Sequence, residues 1–119
     1  LFAQVRPQVN LHIDREGEVK QAALKLVGGG VSEVYVWGAG AHTTWAVPIL
    51  REHGIRVLGI VDDFVAGQER CGFVVCDPRV IPDGSHVVVS SDHAENTIVQ
   101  RARVVRGPAV HVHTIYAAA

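Results

Sequence analysis

The stretch that most limits the fold of this chain is a β-branched run that leads directly into a glycine turn and then into a helical pattern. Residues 33–37, EVYVW, have the composition of a buried strand. Gly38-Ala39-Gly40 follows at once, and residues 41–54 carry apolar side chains at helical spacing up to a terminal glycine. A strand, a tight glycine turn and a helix in this order are typical of a parallel α/β sheet.

The same alternation of strand and helix patterns continues along the chain. Further strands are predicted at residues 55–61, 73–76, 86–89 and 109–115, and further helices from Asp14 to the glycines at 28–30 and from Asp92 to Gly107. Strands that are nearly continuous in valine and isoleucine indicate a parallel sheet covered on both faces. We therefore predict a Rossmann-like α/β domain of three layers, α/β/α, with a mainly parallel five-stranded sheet. Right-handed crossovers favour the strand order 3-2-1-4-5.

Length and charge limit the number of domains and the kind of partner. The 119 residues fit one domain, divided here into an arm and amphipathic helix at 1–30, the Rossmann-like domain at 31–116 and a tail at 117–119. The net charge of -1, without long charged runs, gives no reason to expect nucleic acid or an anionic membrane as partner. No apolar stretch is long enough for a membrane span. Since no secretory signal is visible, we expect a cytoplasmic protein.

The glycine turn is the predicted ligand site. Glycine at Gly38 permits a tight bend, and glycine at Gly40 lets a ligand approach the backbone. The helix that follows offers unpaired N–H groups and the positive end of its dipole, so a phosphate group is the expected ligand. A dinucleotide fingerprint has a third glycine where Thr43 stands, which disfavours the standard NAD-binding mode. A tight turn without any ligand is the alternative. The predicted contacts from the turn are Gly38, Ala39, Gly40, Ala41, His42 and Thr43.

Two residue types on the first turn of this helix carry polar chemistry. The helix dipole disfavours protonated His42, so we expect a neutral imidazole that donates one hydrogen bond to a ligand. The alternative is a histidine that only caps its own turn. Thr43 and Thr44 either contact phosphate through their hydroxyls or satisfy helix donors.

Acids and hydroxyls follow two later strands, where ligands of such sheets lie. Asp62 stands about 20 residues beyond the glycines, the distance at which dinucleotide folds place an acid on ribose hydroxyls. Asp63 is the alternative, and both acids also suit a turn at the end of a strand. Ser90 and Ser91 end the strand at 86–89 and either touch the ligand or cap the next helix, a role that Asp92 can also fill.

Histidines elsewhere in the chain give weaker signals. His111 and His113 alternate on a strand and share one face, but no third metal ligand is apparent, so we expect no metal site. Cys71 and Cys76 have neither a redox nor a zinc spacing and are expected to be reduced thiols. No Gly-x-Ser-x-Gly elbow accompanies the serines, so a hydrolase triad with His93 is not expected.

A resemblance rests on three strings of the sequence. The string VYVWGAGAHTTWAVPIL, followed by GIVDD and VVVSS, resembles Rossmann-like modules with Gly-Ala-Gly-x-His after the first strand and Asp-Asp after the second. These include the nucleotide-sugar-binding N-terminal domain of sialic-acid-type bacterial sugar O-acyltransferases, and modules attached to methyltransferases and glycosyltransferases. In the acyltransferases a second domain of hexapeptide repeats carries the catalytic histidine. This sequence has no such repeats, so the resemblance, over about residues 31–115, implies only the binding half, with His42 at the ligand site.

The predicted function is therefore a module that binds a nucleotide or nucleotide-sugar and positions it for chemistry carried by another domain or partner. The small-molecule ligand is the expected partner, together with a covalently linked or separate catalytic domain, and an oligomer is compatible with the sequence. An NAD(P)-dependent oxidoreductase fragment that uses the same turn is the first alternative. A scaffold or dimerisation domain that binds no ligand is the second. Fold class alone does not choose among them.

Overall fold

A parallel sheet of four strands forms the centre of the structure, a computed structural model that describes residues 14–117. The strands, in chain order, are β1 (Glu33–Trp37), β2 (Arg56–Val61), β3 (Glu69–Arg70), β4 (Phe73–Val74), β5 (His86–Val89) and β6 (His111–His113). The main sheet has the order β2-β1-β5-β6, and every neighbouring pair in it is parallel. This confirms the α/β class and the parallel sheet. The predicted arm at residues 1–13 and the last two residues of the predicted tail lie outside the described residues.

The prediction of five strands in the sheet is corrected to four. The predicted strand at 73–76 begins with β4, which pairs antiparallel with β3 in a separate hairpin. Only Cys76 reaches the main sheet, through one parallel bridge to Val61 at the free edge of β2. The reason is the two-residue turn between β3 and β4, where Cys71 and Gly72 both have positive φ, 53° and 85°. Positive φ at both positions is the geometry of a type I′ hairpin turn, which pairs Phe73 and Val74 with Arg70 and Glu69 and not with the main sheet.

In the described part of the chain three α-helices accompany the sheet: α1 (Arg15–Gly28), α2 (Ala41–Glu52) and α3 (Glu95–Val105). Asp14 caps α1 as predicted, because its carboxylate accepts a hydrogen bond of 2.9 Å from the Gly17 N–H. At α3 the predicted cap by Asp92 is not formed. Ser91 Oγ instead accepts from the Ala94 N–H at 2.8 Å. Within residues 14–117, no helix has the length and apolar content needed to cross a membrane.

The helices cover both faces of the sheet because successive strand residues point to opposite sides. On one face, Val34 and Val36 of β1 pack in a cluster with the buried sides of α1 and α2. On the other face, Trp37 packs with Ala102 of α3 and with Val87 of β5. The carboxyl ends of β1, β2 and β5 therefore meet at one edge of this layered core, and the segments that follow those strands are brought together.

Candidate functional site

A cleft of about 400 Å³ opens where β1, β2 and β5 end. Its walls are the glycine turn after β1, the acidic loop after β2 and the serine loop after β5. The lining residues are Trp37, Gly38, Ala39, Gly40, Ala41, His42, Asp62, Asp63, Phe64, Ser90, Ser91, Asp92, His93, Ala94, Thr97 and Ile98. The structure thus brings together all of the predicted site residues except Thr43, which is buried behind the turn. The volume lies within the usual range for small-molecule sites.

The two glycines of the turn are present for different reasons. Gly38 has φ 123°, and a Cβ atom added there would lie 2.5 Å from the backbone oxygen of Ser90. The packing of the turn against β5 therefore requires glycine at this position. Gly40 has an ordinary φ of -86°, and a Cβ atom added there would meet no atom within 4 Å. Within residues 14–117, neither a positive φ nor packing requires the second glycine, which is the N-cap residue of helix α2.

Asp62 holds the glycine turn to the end of β2. Its carboxylate accepts a hydrogen bond of 2.9 Å from the Ala39 N–H and another of 2.8 Å from the Phe64 N–H. Each carboxylate oxygen can accept a second hydrogen bond. Asp62 is therefore a structural residue of the site that still has lone pairs to offer at the cleft.

Asp63, the alternative acid, is held by side chains instead of the backbone. It accepts from Trp37 Nε1 at 3.4 Å and from Arg101 Nε at 3.1 Å, and its side chain is only 17% exposed. The guanidinium of Arg101 balances its charge. Of the two neighbouring acids, Asp62 therefore has the charge that no basic group within residues 14–117 neutralises through an ion pair.

Four polar side chains beneath the turn are joined in one line of hydrogen bonds. Tyr116 Oη lies 2.5 Å from His42 Nε2, and His42 Nδ1 lies 2.7 Å from Ser90 Oγ. Ser90 Oγ lies 2.8 Å from Thr43 Oγ1, which is 2.5 Å from the Gly38 carbonyl oxygen. The line connects the segment after β6 to the glycine turn itself.

The direction of every bond in this line follows from its last member. A carbonyl oxygen only accepts, so the single hydroxyl proton of Thr43 goes to Gly38. Ser90 must then donate to Thr43, which leaves Ser90 Oγ to accept from the Nδ1–H of His42. Neutral His42 therefore has an unprotonated Nε2, which accepts from the Tyr116 hydroxyl.

The surroundings favour a neutral His42 and a protonated Tyr116, which are the states that this line of hydrogen bonds requires. Burial lowers the pKa of His42 below its ordinary value of 6.5, because the charged imidazolium loses solvation. Burial also raises the pKa of Tyr116 to about 12, which keeps the phenol protonated. The predicted neutral imidazole agrees with this environment. Both of its nitrogens, however, have partners inside the protein, so His42 supports the turn without capping it.

Ser90 and Ser91 also have partners within the chain. Ser90 belongs to the buried line described above, and Ser91 accepts from the first N–H groups before α3. Thr44 donates to the Ala41 carbonyl at 2.7 Å, one of the two roles considered for it. Asp92 lines the cleft and forms an ion pair with Arg15 at the start of α1. Most side chains of the cleft are thus held by the protein, and the groups that remain free belong largely to the backbone.

Two residues that support the site have no signal in the sequence pattern. Glu95, at the start of α3, is buried, and its carboxylate accepts three backbone hydrogen bonds from Ile115, Tyr116 and Ala117, at 2.7, 3.0 and 2.7 Å. This fixes the segment after β6 and presents the Tyr116 hydroxyl to His42. In the sequence, Glu95 stands three residues after Asp92, a capping-box spacing that points only to a local role at the start of α3. Its role in fixing the segment after β6 is visible only in the structure, because its hydrogen-bond partners lie 20 to 22 positions further along the chain.

Two other clefts, of about 320 and 400 Å³, lie near the amino end of the sheet and include His86 in their walls. His113 lines the second of them. Neither contains any residue of the glycine turn. Within the described range 14–117, no group of three or more histidine, cysteine or acidic side chains is arranged to hold a metal ion.

Comparison of the chain with protein-family models, with curated proteins and with solved structures gives no match in any of the three. The resemblance drawn from the three sequence strings therefore stays a prediction. The cleft itself is the basis for the function proposed below.

Proposed function

We propose that this Rossmann-like domain binds a nucleotide or nucleotide-sugar in the cleft at the carboxyl end of the sheet, and that another domain or a partner carries the chemistry. The observation that carries the proposal is Gly40. A glycine that neither φ nor internal packing requires, on the wall of a cleft, fits a position where a ligand approaches the backbone. Gly38 serves as the internal contrast, because its role in the fold is complete without a ligand.

The groups next to Gly40 suit the phosphate end of such a ligand. Helix α2 begins at Ala41, and among residues 14–117 no side chain caps its first turn. Its leading N–H groups and the positive end of its dipole favour an anion at this wall of the cleft. Backbone donors are therefore proposed to hold the phosphate.

The acidic loop suits the ribose end of the ligand. Asp62 keeps free lone pairs after holding the turn, and a carboxylate is the usual acceptor for ribose hydroxyls after the second strand of such sheets. Phe64 follows it on the cleft wall and is 92% exposed. We assign the ribose contact to Asp62 in preference to Asp63, since Arg101 and Trp37 already engage the latter.

The first experiment compares ligands by thermal shift on the full chain. A uridine diphosphate sugar is expected to raise the melting temperature by several degrees at 100 times its dissociation constant, where binding adds about 2.7 kcal/mol of stability. NAD or NADP is expected to give a smaller shift, because Thr43 replaces the third glycine of the dinucleotide turn. A larger shift with NAD would favour the oxidoreductase alternative. No shift with any of them would favour a scaffold.

The second experiment tests Gly40 by calorimetry. Gly40→Val should weaken binding of the nucleotide-sugar by about tenfold or more, since the branched side chain fills the space the ligand needs, while the loss of a favoured N-cap residue costs only about 1 kcal/mol of stability. Gly28→Val is the matched control, because Gly28 also faces open space but lies at the far end of α1. Equal affinity in a folded Gly40→Val variant would remove the turn from the site.

A third experiment assigns the acid. Asp62→Ala should cost about 1–3 kcal/mol of binding free energy, as expected when a partner of a bound hydroxyl is removed. Asp63→Ala, compared under the same conditions, should cost less. Because Asp62 also holds the turn, each variant is first checked for folding by circular dichroism. A larger loss with Asp63→Ala would transfer the ribose contact to that residue.

A further inference from the structure

Three histidines share one face of the sheet, away from the glycine turn. His86 starts β5 and pairs in register with His111 of β6, while His113 pairs with Val88 two positions further along. Registered neighbours and alternate residues of a strand project to the same side. The rings are stacked accordingly: the His86 and His111 centroids are 4.6 Å apart, and those of His86 and His113 are 5.2 Å apart.

Two of these rings present nitrogen atoms to each other. His86 Nδ1 lies 2.9 Å from His113 Nε2. The pair stands at a cleft of about 400 Å³ whose wall includes Lys25 and Thr114 and, among its lining residues, no acidic side chain. A neutral imidazole has one unprotonated ring nitrogen, whose lone pair can bind a metal ion.

We propose that His86 Nδ1 and His113 Nε2 form a two-nitrogen site for a divalent transition metal ion of the Ni²⁺ or Cu²⁺ kind. Imidazole nitrogens suit these ions, and water or a small anion from the cleft completes the coordination shell. The site lies at the amino end of β5, and Ser90 of the nucleotide cleft follows the carboxyl end of the same strand. It is therefore separate from the proposed function and does not depend on it.

The separation of the two nitrogens indicates which metals fit. With metal–nitrogen bonds of about 2.05 Å, a nitrogen separation of 2.9 Å corresponds to an angle of about 90° at the metal. That is the angle between adjacent ligands in the square-planar, tetragonal or octahedral shells of Cu²⁺ and Ni²⁺. A tetrahedral zinc site with the same bonds needs the nitrogens about 3.3 Å apart. In the hydrogen-bonded pair the two nitrogens point at each other, so both rings must turn before their lone pairs meet at one metal ion; the separation then suits the tetragonal ions.

Binding requires a tautomer change without loss of a proton. In the neutral pair one nitrogen carries hydrogen and donates to the other, so only one lone pair is free of a proton. When the metal binds, the donor ring must carry its hydrogen on its other nitrogen. Both facing nitrogens then present lone pairs, and each imidazole remains neutral.

The test is a titration of the full chain with NiCl₂, followed by calorimetry and thermal shift. We expect one Ni²⁺ per chain, a raised melting temperature because the ion joins β5 to β6, and binding weaker by about tenfold or more in His86→Ala and in His113→Ala. His111→Ala, which removes only a stacked ring, and the exposed His93→Ala should retain the affinity within about threefold. CuCl₂ should bind more tightly than NiCl₂, and ZnCl₂ less tightly than CuCl₂.

Controls separate this site from other ligands in the chain. Cys76→Ser should bind Ni²⁺ as the unaltered chain does. If His113→Ala fails to fold, His113→Gln and the perturbation of imidazole ¹⁵N signals on adding paramagnetic Ni²⁺ give the same answer. Absence of binding, unchanged affinity in a folded His113 variant, or equal loss with His111→Ala would each overturn the two-nitrogen site.

Discussion

The two ends of the sheet differ in how their polar groups are used. At the carboxyl end, His42, Ser90, Thr43 and Glu95 are buried, and each has a protein partner. At the amino end, the ion pair between Glu33 and Arg56 spans 3.5 Å, and both side chains are largely exposed. The polar groups of the carboxyl end are therefore fixed by buried hydrogen bonds, whereas the ion pair of the amino end is exposed to solvent.

This difference indicates which groups are available to bind a ligand and which groups stabilise the fold. At the carboxyl end the groups left for a ligand are the backbone donors at the start of α2 and the spare lone pairs of Asp62. Hydrogen-bonded side chains such as His42 keep those groups in place. Substitutions of these buried, hydrogen-bonded side chains should therefore cost stability, and substitutions in the exposed ion pair of the amino end should cost little.

The largest effect is expected from Gly38→Ala. The added Cβ would lie 2.5 Å from a backbone oxygen at a φ of 123°, so both overpacking and backbone strain contribute, about 2–5 kcal/mol in the free energy of unfolding. Gly40→Ala, two residues along, should change stability by less than about 1 kcal/mol. Urea denaturation of both variants measures the contrast. Equal midpoints would mean that the turn does not pack tightly against β5.

The next effect is expected from Glu95→Gln. A neutral amide has one acceptor oxygen where the carboxylate has two, and its NH₂ group would face a backbone N–H. We expect a loss of about 2–3 kcal/mol in unfolding free energy, as for hydrogen bonds to a charged group. Glu16→Gln, at an exposed position in the first turn of α1, should cost no more than about 1 kcal/mol. If the two variants lost the same stability, Glu95 would not hold the segment after β6.

A pH series tests the neutral state of His42. Its pKa is lowered in the folded protein by burial, so below the ordinary value of 6.5 the unfolded chain binds more protons than the folded one. The stability from neutral His42 is thus complete above pH 6.5 and is lost as the pH falls through the folded pKa. Urea midpoints measured from about pH 8 to pH 5 should fall less steeply in His42→Asn than in the unaltered chain.

His113 gives the matching control at the other end, since burial lowers its pKa as well. His113→Asn should remove a separate part of the same slope. A slope that neither variant changes would show that neither imidazole is kept neutral by the fold.

The smallest effect is expected from Arg56→Gln at the amino end. Because both members of its ion pair with Glu33 are exposed, the change in unfolding free energy should lie within about 0.5 kcal/mol. The difference should disappear at about 1 M salt, where surface charges are screened. A loss above 1 kcal/mol would contradict the picture of a loosely held amino end.

Local patterns predicted the elements well because helix caps and strand composition act over a few residues. Asp14 caps α1 as expected, and β1 has the bounds that EVYVW predicts. The third strand is shorter than predicted and pairs with β3 outside the main sheet, because the chain turns back at Cys71 and Gly72. Cysteine is not a usual residue at positive φ, so the hairpin has a weak signal in the sequence.

The candidate site was predictable where its residues directly follow strands. The glycine turn, Asp62 and Ser90 line one cleft because parallel strands bring their carboxyl ends together. Tyr116 and Glu95 were missed since their partners lie far along the chain. The His42–Tyr116 bond spans 74 positions, and no periodicity encodes such a pairing.

By itself the sequence determined the helices, the strands of the parallel sheet and the loop ends that meet at the cleft, because hydrophobic period, caps and glycine turns are local properties of the chain. Only the tertiary structure decided which glycine the fold requires, which acid keeps free lone pairs and which way the hydrogen bonds through His42 run. Those outcomes depend on which atoms from distant segments come within about 3 Å of one another, the range over which hydrogen bonds act.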